Sequence, residues 1–135
     1  MGAESIRVVT LAVVRDGRLL TVRKRGTDRF MLPGGKPDAG ETEMATLVRE
    51  VAEELRCGVM PGMLLGEFSA MAANEPGRQV LARVYRGELD GEIALAAEIE
   101  AMHWLKLDGT SSVPLAPLLA EHVLPALVQG DKRRI

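Results

Sequence analysis

The 135-residue sequence predicts an α/β fold, on three observations. Strand-like runs precede and follow one strongly amphipathic helix between Thr42 and Gly58. Turn signals separate those runs, and a second apolar helix closes the chain. Elements in that order suggest a mixed sheet between helices. Apolar residues make up 47% of the chain and charged residues 27%, so one globular domain over 1–135 with a real core is expected.

Taken in order, Ile6 to Val14 is rich in Val and Leu and reads as a strand buried on both faces. Asp16-Gly17 makes a tight hairpin turn, and Leu19 to Arg25 returns. On that strand Leu20 and Val22 face one way, and Arg23 and Arg25 the other. Gly26 to Arg29 is a loop, and Phe30 to Leu32 a short strand leading into a Pro33-Gly34-Gly35 turn. Beyond the helix, Met63 to Ala73 and Gln79 to Leu89 are partner strands around Asn74-Glu75-Pro76-Gly77, and Asp90-Gly91 turns again. Ile99 to Leu107 is the last strand. Ser111 or Ser112 starts a final helix with Pro114 in its first turn, Leu115, Leu118, Leu119, His122, Val123 and Leu127 on its apolar side, and a kink or end at Pro125. The tail from Asp131 to Arg134 is expected to be loose.

The central helix carries the chemistry. Met44, Leu47, Val48, Val51 and Leu55 recur at the spacing of a buried stripe. Thr42 is its N-cap, and Glu43 suits the positive end of the helix dipole. Glu50, Glu53 and Glu54 lie on an adjoining arc, at the edge of the core. Like charges at that spacing cost a few tenths of a kcal/mol per pair. Arg49 is the one cation among them and cannot neutralise all three, so a bound cation would relieve the crowding. Glu50, Glu53 and Glu54 are oxygen ligands of the kind a hard divalent ion takes.

The spacing around these acids is specific. Gly35 is followed by five residues and Glu41, then by seven residues and Arg49-Glu50-Val51-Ala52-Glu53-Glu54. This resembles the signature box of the Nudix hydrolases, which cleave nucleoside diphosphates linked to another moiety. The box covers under a fifth of the chain. One end departs from the pattern: the family's usual glycine and aliphatic residue after the last glutamate are here Arg56 and Cys57, with Gly58 and Val59 displaced. The helix is therefore expected to run on and stop at Gly58.

The resemblance implies an α/β/α sandwich with the box helix packed on a mixed sheet. It implies Mg²⁺-dependent hydrolysis, with Mn²⁺ as an alternative, of a nucleoside triphosphate or related nucleotide. ADP-ribose or another sugar nucleotide is the second substrate class. A nucleotide sensor without turnover is a third reading, which loss of a box glutamate would favour, and none is lost. The resemblance assigns the carbonyl of Gly34 to the metal beside the three glutamates. Gly35 allows close backbone approach, and Glu41 and Arg49 orient the cluster, Arg49 counting with the catalytic set. Water would be activated by Glu53 or by Glu98, whose place six residues before Trp104 is similar to that of a loop glutamate in MutT-like members; Glu100 competes with it. Arg23, Arg25 and Lys36 are the cations available for substrate phosphates.

Other classes are set aside. A net charge of −2 argues against a general nucleic-acid binder. His103 and His122 lack Cys or His partners at zinc spacing. The single cysteine, Cys57, permits no internal disulfide and suits a reducing cytosol. Met1-Gly2 lacks the Ser or Thr at position 6 that myristoylation needs, and no apolar run is long enough to span a bilayer. A cytoplasmic enzyme is expected, with a homodimer suggested by the resemblance alone.

Overall fold

The computed structural model describes residues 5–132 apart from 74, 76 and 109. Its elements are β1 (Ile6–Ala12), β2 (Val14–Arg15), β3 (Arg18–Lys24), β4 (Gly34–Gly35), α1 (Glu43–Leu55), β5 (Gly58–Met71), β6 (Gln79–Asp90), β7 (Ile99–Lys106) and α2 (Leu124–Lys132). One sheet runs in the order β4-β1-β6-β5, and a second, antiparallel, in the order β2-β3-β7. β1 lies parallel to β6 and antiparallel to β4, which makes the first sheet mixed.

Two apolar clusters lie on opposite faces of these strands. Val9 and Leu11 of β1 and Leu20 and Val22 of β3 pack with Leu47, Val51 and Leu55 of α1. Ala12, Leu19, Ala82 and Val84 pack instead with Leu119, Val123 and Leu127 of the C-terminal helical segment. Strand side chains alternate between faces, so each strand feeds both cores. The result is the expected α/β/α sandwich. Burying each Leu or Val of this kind contributes about 1.5–3 kcal/mol. Val48 departs from the predicted stripe: it is 44% exposed, one step of 100° beyond the buried Leu47.

Local signals formed as the sequence predicts where they act alone. Thr42 caps α1 by accepting from the Ala45 N–H at 3.1 Å. Asp16 and Gly17 have φ of 53° and 72°, the left-handed pair of a tight hairpin. Tertiary pairing changed the rest. Gly34-Gly35 forms a two-residue strand opposite Thr10 and Val9, not a turn. Phe30 to Leu32 makes only isolated bridges, Met31 with Val22 and Phe30 with Leu115. The second of these keeps 114–116 extended, because Phe30 N–H donates to Pro114 O and Ala116 N–H to Phe30 O. No helix therefore starts at Ser111 or Ser112. Pro125 does not end the last helix; a π-helical turn at Leu119–Val123 precedes it, with Leu124 N–H reaching Leu119 O, and α2 follows. α2 extends to Lys132, into the tail expected to be loose, while 133–135, 1–4 and two residues of the 74–77 turn lie outside the described residues. No helix among the described residues is long and apolar enough to cross a membrane.

The end of α1 corrects the expectation of a helix running to Gly58. α1 stops at Leu55, and Arg56 takes the left-handed cap with φ 58° and ψ 32°, its N–H donating to Ala52 O. Pairing of Gly58 with Asp90 opens β5 and leaves no room for another helical turn. The position where the box usually has glycine thus keeps the glycine conformation, with arginine in it. A left-handed non-glycine residue costs about 1 kcal/mol. Arg56→Gly is expected to stabilise the protein by roughly 0.5–1 kcal/mol, read as a raised midpoint in chemical denaturation. A lower midpoint would mean that the Arg56 side chain contributes more than its backbone costs.

Candidate active site

The helix arc that carries the three acids spans 100° between Glu53 and Glu54, enough to separate them. Glu54 turns inward and is only 4% exposed. Its Oε1 accepts from the Gly34 N–H at 3.1 Å, which ties α1 to β4. Glu50 lies against Gly35, where a Cβ would stand 2.4 Å from its Cδ, so only glycine leaves room for that carboxylate. At Gly34, φ is 141° and a Cβ would meet Val9 O at 2.2 Å. Gly34 is therefore required by its approach to backbone, whereas a side chain at Gly35 would displace the Glu50 carboxylate. Glu53 turns outward, with its side chain 53% exposed.

Arg49 is the counter-ion of the outer part of this cluster. Its Nε and Nη2 bond Glu41 at 2.7 and 3.0 Å, and its Nη1 lies 3.0 Å from Glu50 and 3.5 Å from Glu53. Nη2 also donates to Lys36 O at 3.1 Å, tying the loop to the helix. Glu41 accepts further from Asp38 N–H and Thr46 Oγ1, and the Arg49 bonds lead in holding its carboxyl down at about 2. Arg49 thus reaches more acids than the sequence suggested. The acid it leaves unpaired is Glu54, whose carboxyl burial pushes up to about 8, with Glu50 and Glu98 adding to the rise and the Gly34 N–H opposing it.

A second segment is brought to Glu54 by the free end of α1. The last carbonyls of a helix lack intrahelical donors. Here Ala96 N–H bonds Glu54 O and Ala94 N–H bonds Leu55 O, both at 2.9 Å. Ala97 then takes a left-handed φ of 52°, and Glu98 O accepts from Arg25 N–H at 2.7 Å. These bonds set Glu98 at a cavity of about 350 Å³ whose walls include Gly34, Gly35, Lys24 and Lys36. The Glu98 side chain is 68% exposed and lies 3.7 Å from Lys24 Nζ. Glu100 is elsewhere, paired with Arg23 at 3.1 Å.

The cations are placed differently from the strand reading. Arg23 bonds Thr27 O at 2.8 Å and covers the Phe30 ring, and neither it nor Arg25 lines the cavity. Lys24 does, and sequence reasoning missed it. The signal was the parity of Lys24 with Leu20 and Val22, whose face turns toward α1. Lys36 lines the cavity mouth, 3.6 Å from Glu75. His103 sits edge-on to Phe30 and His122 stacks with Phe68, in keeping with structural roles.

The donor set fits a hard cation. It offers carboxylate and carbonyl oxygen alone, and the buried acid lacks a cationic hydrogen-bond partner. Among the described residues no three carboxylate, imidazole or thiol groups already form a cage. Magnesium is commonly held by one or two carboxylates together with water and substrate phosphates, so a full cage is not needed.

With this geometry in view, likeness to known proteins is informative. The family model described as the NUDIX domain matches residues 5–127. A "MutT-like protein" of Streptomyces ambofaciens is 32% identical over 124 residues, covering 91% of this chain and 77% of that one. A "Putative 8-oxo-dGTP diphosphatase 2" of Mycobacterium tuberculosis is 37% identical over 105 residues, 73% of this chain and 71% of that one. Among solved structures, the E. coli ORF135 protein superposes with a TM-score of 0.78 at 25% identity, covering 97% of this chain and 94% of that one. A MutT NUDIX hydrolase from Burkholderia pseudomallei gives 0.74 at 27%, covering 94% and 98%. A match over nearly the whole chain, with the box on α1 and the sandwich around it, makes this protein a member of the NUDIX hydrolase family.

Proposed function

We propose that this hydrolase cleaves a diphosphate linkage in a nucleoside triphosphate or related nucleotide, by attack of water on phosphorus, with Mg²⁺ or Mn²⁺ as cofactor. The observation that carries the reading is Glu54, a buried acid pinned to the amide of Gly34, which itself lines the cavity. The name of the M. tuberculosis relative supports a nucleoside triphosphate. When bound, the divalent ion supplies positive charge on the phosphate oxygens and orients them.

Each residue then has a physical task. Glu50, Glu54 and the Gly34 carbonyl would hold the ion from the β4 side, and Glu53 from the solvent side. Arg49 keeps Glu50 and Glu53 from splaying and is itself fixed by Glu41. Lys24 and Lys36 stand at the cavity, where the phosphate chain needs counter-charge. Glu98 is in contact with water and faces the same cavity, so it takes the proton of the attacking water; Glu53, turned to Arg49, is the alternative base.

Replacement of a metal-holding acid is expected to cost at least about 100-fold in kcat, the scale of losing a preorganised charge. Glu50→Gln and Glu54→Gln should both show it in phosphate release, with circular dichroism unchanged. Full turnover in both would remove these acids from the mechanism. Glu98→Gln should lower kcat about 100-fold or more with circular dichroism unchanged, whereas the same result from Glu53→Gln alone would transfer the role to Glu53.

Glu54 also predicts a pH effect on stability. Its folded value near 8 lies above the ordinary carboxylate range, so between about pH 5 and 8 the folded state binds a proton that the unfolded chain releases. The metal-free protein should therefore lose stability as pH rises through that window. Since a ligand carboxylate must be ionised, the gain in Tm from saturating Mg²⁺ should be larger at pH 8.5 than at pH 6. Equal gains at both values would contradict an ion at Glu54.

A further inference from the structure

Two arginines, Arg15 and Arg18, flank the Asp16-Gly17 turn, and Lys106 ends the last strand. The three-stranded sheet brings them into one row. Arg15 of β2 stands opposite Arg18 of β3, and Arg18 stands opposite Lys106 of β7. Like charges directly opposite one another destabilise a sheet. Only the first of the three is neutralised: Arg15 pairs with Glu88 at 2.6 Å, with its guanidinium over the Trp104 ring. Among the described residues Arg18 and Lys106 form no ion pair. Asp108, two places after Lys106, has its Oδ1 occupied by the N–H and hydroxyl of Thr110.

The two unneutralised cations line a second cavity, of about 300 Å³, that shares no residue with the one at Gly34. Four consecutive residues of β7, His103 to Lys106, line it as well. Successive side chains of a strand alternate between faces, so four in a row place the cavity along the edge of β7. β7 is the outer strand of its sheet, and such an edge presents amides with no strand beside them. The loop at 110–112 forms another wall. The hydroxyls of Thr110 and Ser111 are spent on Asp108 and on Val113 O. Ser112 and the ring nitrogens of His103 have no partner among the described residues. None of the lining residues is an acid.

A guanidinium, an ammonium, an imidazole and a hydroxyl thus converge on one space without a counter-charge. We propose that this groove is a second anion site, separate from the hydrolytic centre, in which Arg18 and Lys106 bind a phosphate group and His103 and Ser112 donate to its remaining oxygens. A phosphate group carries close to two negative charges near neutral pH, which matches the two cations, and its oxygens suit the fork of an arginine. A single carboxylate would leave one cation of the row uncompensated. The volume lies at the lower end of the small-molecule range, so the occupant is free phosphate or a small phosphate ester.

The chain has a single tryptophan, and it lines this groove, so its fluorescence reports the site. The test titrates the full chain with inorganic phosphate and with ribose 5-phosphate, against potassium chloride at equal ionic strength. Both phosphates should give a saturable change that the chloride does not. Tighter binding of the ester would identify an ester as the occupant, and equal binding free phosphate; either supports the site. Arg18→Gln and Lys106→Gln should each weaken binding about threefold or more, and the double variant about tenfold or more, the scale of charge-assisted hydrogen bonds. Arg18→Gln should also raise the Tm of the ligand-free protein, because the repulsion across the row is gone. Nucleotide hydrolysis should stay at the wild-type rate in both single variants. A response that chloride reproduces, unchanged affinity in the double variant, or a lowered Tm in Arg18→Gln would overturn the proposal. Loss of hydrolysis together with binding would overturn it too, by placing Arg18 and Lys106 at the substrate.

Discussion

Everything at the site hangs on a single buried hydrogen bond, from the Gly34 amide to the Glu54 carboxylate. To make it, the backbone of β4 must lie almost against α1, and on its other side against β1. A side chain at either glycine would collide, with Val9 O in one case and Glu50 in the other. The helix must also end one residue after Glu54, since its last carbonyls hold the segment that delivers Glu98. Together with the bonds from Ala94 and Ala96 to those carbonyls, it fixes strand, helix end and following loop relative to one another, which is the rigidity that a site for charge stabilisation needs.

The distribution of charge follows from that geometry. Arg49 is long enough to reach Glu41, Glu50 and Glu53 on the solvent side, and it pairs with all of them. It does not reach the buried side, where Glu54 is left facing an amide with Glu50 and Glu98 nearby. Burying an unpaired carboxylate is expensive, and the protein meets that cost by holding the proton more tightly. A hard cation would meet it another way. The outer acids share Arg49 as counter-charge, and the inner one has no such partner.

What the sequence made legible was local or periodic. The buried stripe of α1, its Thr42 cap and the Asp16-Gly17 turn depend on near neighbours, and they formed as read. The box spacing was legible because glycine, arginine and the glutamates stand at fixed separations along one helix and its lead-in. Where pairing with a distant strand decides, the reading failed. Gly34-Gly35 is a strand because β1 offers an edge, residues 114–116 are extended because Phe30 does, and α1 ends early because Asp90 pairs with Gly58. Lys24 was passed over for its more conspicuous arginine neighbours, although its parity placed it on the inner face.

The most direct test of the account is to locate the ion. Crystals soaked in Mn²⁺ should show an anomalous difference peak within about 2.5 Å of carboxylate oxygens of Glu50 and Glu54 and of the Gly34 carbonyl, near the usual range for oxygen ligands of hard cations. A peak confined to solvent-side acids such as Glu53 and Asp38, with Glu54 still bonded to the Gly34 amide and no metal beside it, would contradict the claim that this buried acid exists to hold a cation.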